Sequence, residues 1–186
     1  MEAIGYIVTV QPASEPVSAT EMKLYLRIDG TTYDTMLAAL ITSARQLVER
    51  TTGRLFVTQD VGVKFAGYDW EDGLILPIAP VASVVSVTHT IGGDAATLSA
   101  DDYTLDRYRL WPRIIPAYGA SWPSADGGSV VVAVKAGEVT STEGVGKLLI
   151  QAIVADMFEH PEANIELTLA ENKTVARLLS AWRTTW

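Results

Sequence analysis

The chain has 186 residues with 14 basic and 22 acidic side chains, which gives a net charge of −8. A chain of this length can bury roughly 70% of the surface that it exposes when unfolded, and one domain is the default expectation. The acidic excess argues against a basic surface that grips DNA, and the absence of cysteine excludes disulfides, thiolate metal sites and a cysteine nucleophile.

The first part of the chain is predicted to form an arm over residues 1–16 and then a short helix. A β-prone stretch within the arm, residues 6–10, is followed by polar residues and proline. Ser18 and Glu21 have the spacing of a capping box, in which each side chain accepts a hydrogen bond from the other residue's backbone N–H. An Asp-Gly pair at positions 29 and 30 is expected to end the helix, whose predicted apolar face comprises Leu24, Tyr25, Leu26 and Ile28.

The strongest helical pattern covers residues 33–52, and with the first helix it predicts a helical hairpin. Thr31 or Thr32 is the expected cap, and Gly53 is expected to end the helix in the left-handed conformation. The apolar residues recur at helical spacing and predict one buried stripe, formed by Met36, Leu37, Leu40, Ile41, Ala44, Leu47 and Val48. The charged residues Arg45, Glu49 and Arg50 are predicted to lie off this stripe, facing solvent or another subunit.

After residue 53 the apolar residues alternate with a period of two, which is typical of strands with one buried face. Turn residues and prolines between these runs predict several short antiparallel strands with irregular connections. The alternating residues are Val61, Val63 and Phe65, then Val85, Val87, His89 and Ile91, then Val130, Val132 and Val134.

Helical spacing returns near Val145, and Pro161 is expected to end this core helix after His160. A last helix is predicted from Val175, Leu178, Leu179 and Trp182. The predicted fold is therefore α+β, a bundle of about four helices with a β-rich insertion between helices two and three. We expect one domain with five segments: arm 1–16, helical hairpin 17–53, β insertion 54–140, core helix 145–160, and acidic linker with C-terminal helix or tail 161–186.

The sequence offers no catalytic constellation, and we expect no catalytic residue, cofactor or metal. Asp156 and His160 share a helix face, which is compatible with a metal ion, but no third ligand is indicated. His89 is interpreted as a packed or edge residue, and the carboxylates near position 70 lack the spacing of a calcium loop. No run of about 18 apolar residues or signal-peptide pattern occurs, so we expect a soluble, unexported protein.

The segment from Tyr103 to Trp122 mixes arginine with aromatic residues: Arg107, Arg109 and Arg113 alternate with Tyr103, Tyr108, Trp111, Tyr118 and Trp122. Three interpretations are open: arginine stems covering aromatic edges within the domain, a protein interface, and contact with nucleic acid, which the overall charge disfavours. At the C-terminus, Trp182 and Trp186 flank Arg183 and are either packed inside the domain or anchors for a partner.

The order of short motifs resembles the head-tail connector, or adaptor, proteins of long-tailed phages, prophages and gene transfer agents. The similarity covers roughly residues 17–158, and the segment after the third helix differs from the family in being acidic and ending in tryptophan. The motifs are Pro16-Val17, Glu21, Lys23, Leu26-Arg27, Asp29, Asp34, Ala44-Arg45, Val48-Glu49, Thr52-Gly53-Arg54, Leu76-Pro77, Pro80-Val81, Ser83-Val84, Val87, Asp102-Tyr103-Thr104-Leu105, Trp122-Pro123 and residues 132–137.

The resemblance implies a structural virion protein of the neck, assembled in the host cytoplasm without membrane contact. Such adaptors form a dodecameric ring under the portal, extend the DNA channel without specific DNA binding, and dock the stopper or tail. We expect portal contacts from Arg177, Trp182, Arg183 and Trp186. Other interface residues are expected to be Arg45, Glu49, Arg50, Arg107, Arg109, Trp111 and Arg113. Alternatives are another neck or tail-completion protein, such as a stopper or tail terminator, and a small enzyme.

Overall fold

A computed structural model describes residues 3–66, 73–123, 128–137, 144–160, 175–177 and 179. Within these residues the fold is α+β, as predicted, and combines helices with antiparallel sheets. The chain divides into two compact units: Met1–Ala13 with Thr58–Gly137, and Ser14–Val57 with Glu138–Trp186. None of the described helices has the length and apolar character needed to cross a bilayer.

The first unit is built from strands, and every strand pair is antiparallel. A five-stranded sheet has the order β1-β2-β8-β4-β5, and a three-stranded sheet has the order β3-β7-β6. The strands are β1 Ala3–Val10, β2 Gln59–Ala66, β3 Leu74–Ile75, β4 Val81–Ile91, β5 Asp94–Thr97, β6 Tyr103–Asp106, β7 Arg113–Pro116 and β8 Ser129–Ala136.

The alternating pattern correctly predicted the buried faces of the two central strands. Val61 pairs with Val134, Val63 with Val132 and Phe65 with Val130, and all six side chains are buried. The prediction was wrong for Val85 in β4, which is exposed. The register shifts between Val84 and Ser86, and an extra residue in a strand reverses the side-chain alternation at that point.

The segment expected as an N-terminal arm contains strand β1, which pairs along β2 at one edge of the five-stranded sheet. The β-prone stretch 6–10 lies within this strand, which begins earlier, at Ala3. Two register shifts, between Ala3 and Gly5 and between Val8 and Val10, interrupt the pairing. Such bulges are a common feature of sheet edges because they discourage pairing with further strands.

Helix α1, Ala19–Leu26, begins with the predicted capping box. Glu21 N–H donates to Ser18 Oγ at 3.1 Å, and Ser18 N–H donates to Glu21 Oε2 at 2.8 Å. The predicted end was too late, because Arg27 already takes the left-handed conformation, with a φ of 58°. The predicted apolar face was also wrong in part: Leu24 and Tyr25 are exposed, whereas Leu26 and Ile28 pack against the core.

Helix α2, Asp34–Thr52, ends as predicted at Gly53, which has a φ of 68°. The predicted threonine cap was wrong: Tyr33 occupies the cap position, and no side chain caps the helix. Helix α3, Val145–Glu159, ends at His160 as expected, and residues 175–177 and 179 are also helical. These helices share a core whose buried residues are Val17, Met22, Leu37, Ile41, Ala44, Val48, Phe56, Val57, Leu149, Ile150, Ile153, Val154 and Val175.

Candidate interaction surfaces

Arg45 and Glu49 in α2 are buried, and the prediction that they face solvent or a neighbouring subunit was wrong. Arg45 is 1% exposed and Glu49 is 4% exposed. Arg45 Nη1 donates to Glu49 Oε2 at 2.6 Å, and Arg45 Nε donates to Glu15 Oε2 at 2.7 Å. The buried face of α2 is wider than the apolar stripe because ion pairing allows these charged groups to leave water. Of the three predicted residues, Arg50 is exposed, and its role in subunit contacts stays a prediction.

The Arg45 cluster also fixes the two ends of the chain segment 14–57 within the helical unit. Glu15, which lies at the start of this segment, accepts a further hydrogen bond from Thr42 Oγ1 at 2.9 Å. Phe56, which lies at its end, donates its backbone N–H to Glu49 Oε1 at 2.9 Å. Burial alone lowers the pKa of Arg45, but hydrogen bonds and charges from Glu15 and Glu49 raise that pKa above its usual value. Arg45 is therefore a charged structural residue.

The arginine-rich segment forms a β-hairpin from β6 and β7, which we call the arginine hairpin (residues 103–116). Asp106, the last residue of β6, accepts a hydrogen bond from Arg109 Nε at 2.9 Å and lies 3.5 Å from Arg113 Nε. Tyr108 N–H also donates to Asp106 Oδ1, at 3.4 Å. These contacts hold the pKa of Asp106 below its usual value, chiefly through the Arg109 hydrogen bond. The carboxylate therefore organises the connection between the two strands.

The connection between β6 and β7 presents several side chains to solvent. Tyr108 is 97% exposed, Leu110 is exposed, and Arg107 is exposed beside them. Trp111 is half-buried. Tyr118, which follows β7, is also fully exposed. The interpretation in which arginine stems cover aromatic edges does not account for Tyr108, because nothing covers a side chain that is 97% exposed. Tyrosine and arginine are also the residue types enriched among interface anchors.

The sheet of the first unit carries an apolar groove that the sequence analysis did not identify. The groove has a volume of about 420 Å³ and is lined by Ile4, Gly5, Tyr6, Ile7, Thr9, Gly62, Lys64, Val131 and Ala133. Ile4, Ile7 and Val131 are exposed. The sequence feature that could have indicated the groove is the pair Ile4 and Ile7 in the N-terminal stretch. The groove also needs residues of β2 and β8, which are distant in sequence.

The residues predicted to contact the portal are described only in part. Arg177 lies in the helical stretch 175–177 and is exposed. Trp182, Arg183 and Trp186 lie outside the described residues, so their role in portal contacts stays a prediction. Val175, two residues before Arg177, is fully buried in the core of the helical unit. This burial fixes one point of the C-terminal segment on the unit.

Of the side chains considered for catalysis or metal binding, the structure describes His89 in the β unit and Asp156 and His160 in the helical unit, whereas the carboxylates near position 70 lie outside the described residues. His89 is buried within β4, in agreement with its interpretation as a packed residue. Asp156 Oδ1 lies 3.8 Å from His160 Nδ1 at the end of α3. In the part of the chain that the structure describes, no three metal-binding side chains come together.

The fold described above is also found in solved structures of virion particles. No protein-family model matches the chain, and no curated protein matches it. A chain in "Neck of empty GTA particle computed with C6 symmetry" has a TM-score of 0.77 and 20% identity, with 98% of this chain and 97% of that chain covered.

Two further chains come from the native particle of the same kind. One, in "Virion of native gene transfer agent (GTA) particle", has a TM-score of 0.73 and 23% identity, with 96% of both chains covered. The other, in "Neck of native GTA particle computed with C12 symmetry", has a TM-score of 0.64 and 24% identity, with 96% of both chains covered. The chain therefore has the fold of proteins that occur in gene transfer agent particles, two of them in neck structures.

Proposed function

We propose that the chain is a structural neck protein, a head-tail connector located between head and tail and without catalytic activity. In this role it forms a ring under the portal, extends the DNA channel and provides the docking surface for the stopper or tail. The observation that carries the proposal is the similarity to a neck chain over 98% of this chain and 97% of that one. Because the similarity extends over nearly the whole of both chains, we infer that the shared fold includes the surfaces through which subunits assemble.

The division of the chain supports the arrangement of a helical bundle with a β insertion. The helical unit comprises Ser14–Val57 and Glu138–Trp186, and the β unit between them comprises Thr58–Gly137 together with Met1–Ala13. We propose that the chain is a single adaptor module in which the N-terminal strand completes the inserted sheet. The Arg45 cluster would fix the segment that leads into the insertion.

The distribution of charge supports a channel through which DNA passes without adhering. The chain carries 22 acidic and 14 basic side chains, an excess of eight acidic groups in every copy of the ring. Tight DNA binding requires that lysine or arginine neutralise phosphates, whereas a local excess of carboxylates repels them. We propose that acidic side chains predominate on the surface that faces the channel.

A ring of twelve copies is compatible with both symmetries in which the neck structures were computed. The two neck structures that contain this fold were computed with C6 and C12 symmetry, and a ring with C12 symmetry also has C6 symmetry. A closed ring requires a heterologous interface, so each copy must present two different surfaces. The arginine hairpin and exposed residues of the helical unit such as Arg50 are the candidates.

The proposal is tested by electron microscopy of the purified protein, alone and mixed with the purified portal of the same particle. We expect rings attached to one face of the portal when no other neck protein is present. A protein that stays monomeric and never joins the portal would contradict the proposal. A stopper or tail terminator, the competing neck assignment, would bind only after a connector ring had been added.

A truncation tests the proposed portal contact of the C-terminus. The test variant lacks residues 180–186 and carries Arg177→Glu, so it loses Trp182, Arg183, Trp186 and the charge of Arg177 but keeps Val175 and Leu179, which pack in the core. We expect the truncated protein to lose portal binding, measured by co-sedimentation, and to keep its far-ultraviolet circular dichroism spectrum. Unchanged portal binding would overturn the assignment of this segment. A changed spectrum would show that a loss of portal binding results from misfolding.

A further inference from the structure

We propose that the tip of the arginine hairpin, residues 106–113, docks onto a second copy of this chain and forms one half of the heterologous ring interface. The inference rests on the proposed function, because a ring supplies the neighbouring copy. It goes beyond that function by assigning a surface, an occupant and an anchor residue.

Hydrogen bonds to Asp106 hold the tip in an ordered conformation. Asp106 accepts hydrogen bonds from Arg109 Nε and from the backbone N–H of Tyr108 and lies 3.5 Å from Arg113 Nε. These contacts order the backbone that carries Tyr108, whose side chain is 97% exposed. An ordered loop that presents a tyrosine loses little conformational entropy on binding, which favours its use as an anchor.

The arginine hairpin and the rest of the chain carry net charges of opposite sign. The arginine hairpin carries three arginines and one aspartate within a chain whose net charge is −8, so the rest of the chain is more acidic than the whole. A basic tip on an acidic chain is attracted to other parts of a neighbouring copy, and attraction between unlike surfaces guides both encounter and orientation.

Charge disfavours a twofold dimer whose axis passes through the tip. In such a dimer the tip of one copy would face the tip of the other, and the arginines would repel one another. The tip is therefore proposed to contact a different surface of the neighbour. Where the same two copies do not make this contact in both directions, it propagates from copy to copy and can close into a ring.

The test compares variants at the tip with matched variants elsewhere on the β unit. Arg107→Glu reverses an exposed charge and Tyr108→Ser removes the proposed anchor. Lys135→Glu, which reverses an exposed charge on β8, and Tyr118→Ser, which removes another fully exposed tyrosine, are the controls. The exposure of all four side chains makes misfolding an unexpected outcome, and circular dichroism checks it.

Assembly is measured by mass photometry of the full-length protein, alone and with portal, over a range of protein and salt concentrations. We expect each tip variant to need about tenfold or more protein for half-maximal ring formation, in the range of an interface anchor. The controls should assemble like the wild type. Rising salt should weaken wild-type assembly because charge attraction between exposed groups is screened.

A mixing experiment tests whether the tip contacts an unlike surface of the neighbouring copy. A tip variant retains the acceptor surface of the proposed interface, so immobilised wild-type protein should capture fluorescent Tyr108→Ser protein through the tip of the wild type. Two copies of the variant should not capture one another. Equal loss of both captures would contradict a tip that contacts an unlike surface.

The remaining outcomes separate this inference from the proposed function. Rings formed equally well by wild type and tip variants would overturn the inference and leave the connector assignment intact. Tip variants that form rings but lose portal binding would overturn the inference, because the tip would then dock onto the portal and not onto a second copy. A wild type that forms no ring with or without portal would refute the connector assignment and this inference together.

Discussion

The protein places arginine against carboxylate in two regions that differ in their exposure to water. In the helical unit, Arg45 is 1% exposed and is paired with Glu49 and Glu15. On the arginine hairpin, the Arg109 side chain is 57% exposed and is paired with Asp106 at 2.9 Å. Ion pairs of similar length can therefore serve different purposes, because burial sets the cost of losing one partner.

The difference suggests a division of roles. The buried cluster joins Glu15, α2 and the backbone of Phe56, so its partners are all supplied by the same fold. The hairpin cluster orders a loop whose Tyr108 and Arg107 remain exposed to solvent. We therefore expect substitutions in the first cluster to act on stability, and substitutions in the second to act on assembly.

The largest effect is expected for Arg45→Met, which keeps an unbranched apolar side chain and removes the charged guanidinium group. Glu49 would then be buried beside Met without its cation, and breaking a buried ion pair in this way costs roughly 3–5 kcal/mol of unfolding free energy. Urea denaturation measures the loss. Arg109→Met is the matched control, and a comparable loss in both variants would remove the distinction between the clusters.

A smaller loss is expected for Glu49→Gln, which removes one charge from the buried cluster and keeps its shape. The amide oxygen can still accept the N–H of Phe56, and Arg45 keeps Glu15 as its ion-pair partner. We expect a loss of about 1–3 kcal/mol, the usual cost of an impaired buried polar contact. Urea denaturation again measures it, and a loss as large as that of Arg45→Met would show that Glu15 contributes little.

Helix α1 provides a further carboxylate, Glu21, which is exposed and accepts its main hydrogen bond from the backbone. Glu21 accepts from Ser18 N–H at 2.8 Å and from Lys147 Nζ at 3.1 Å, and the Ser18 hydrogen bond is the main reason that the pKa of Glu21 is lowered. Ser18→Ala removes the cap and should cost about 1 kcal/mol. Thermal unfolding measures this loss, and Ser43→Ala, at an exposed position within α2, is the control. Equal unfolding temperatures in both variants would contradict a contribution from the cap.

The features that the sequence predicted correctly are those set by neighbouring residues. The capping box needs only Ser18 and Glu21, Gly53 ends α2 through its own backbone freedom, and the alternation of Val130, Val132 and Val134 already defines a buried face. Each of these signals lies within a few residues. The physical cause of each structure is therefore contained in the same stretch as its pattern.

The features that the sequence analysis missed depend on residues far apart in the chain. Arg45 is buried because Glu15, thirty positions earlier, supplies a carboxylate. The groove of the β unit combines β1 with β2 and β8. Val85 is exposed because β4 shifts register against β8. Helical or strand periodicity within one segment contains none of this information. The arginine hairpin was identified by composition, whereas the exposure of Tyr108 required the structure.

The smallest effect on stability is expected for Asp106→Asn on the arginine hairpin. The pKa of Asp106 is lower in the folded protein than its ordinary value of 3.8, first because Arg109 donates to the carboxylate. A carboxyl group with a lowered pKa stabilises the fold fully above its unfolded pKa, and this contribution is lost as pH falls through the folded pKa. The difference between wild type and variant should therefore be present at neutral pH and disappear below that lowered pKa.

Nuclear magnetic resonance can measure this effect directly by titrating the Asp106 carboxyl group in the wild type and in Arg109→Ala. We expect the Asp106 pKa to rise toward its ordinary value in the variant, because its strongest hydrogen-bond donor is lost. If the pKa does not change, Arg109 does not hold the carboxylate in solution. If the pKa rises while ring assembly is unchanged, the order that Asp106 gives to the tip is not needed for docking. A rise in pKa together with weaker assembly would link the exposed cluster to the interface, in contrast to the buried cluster of Arg45.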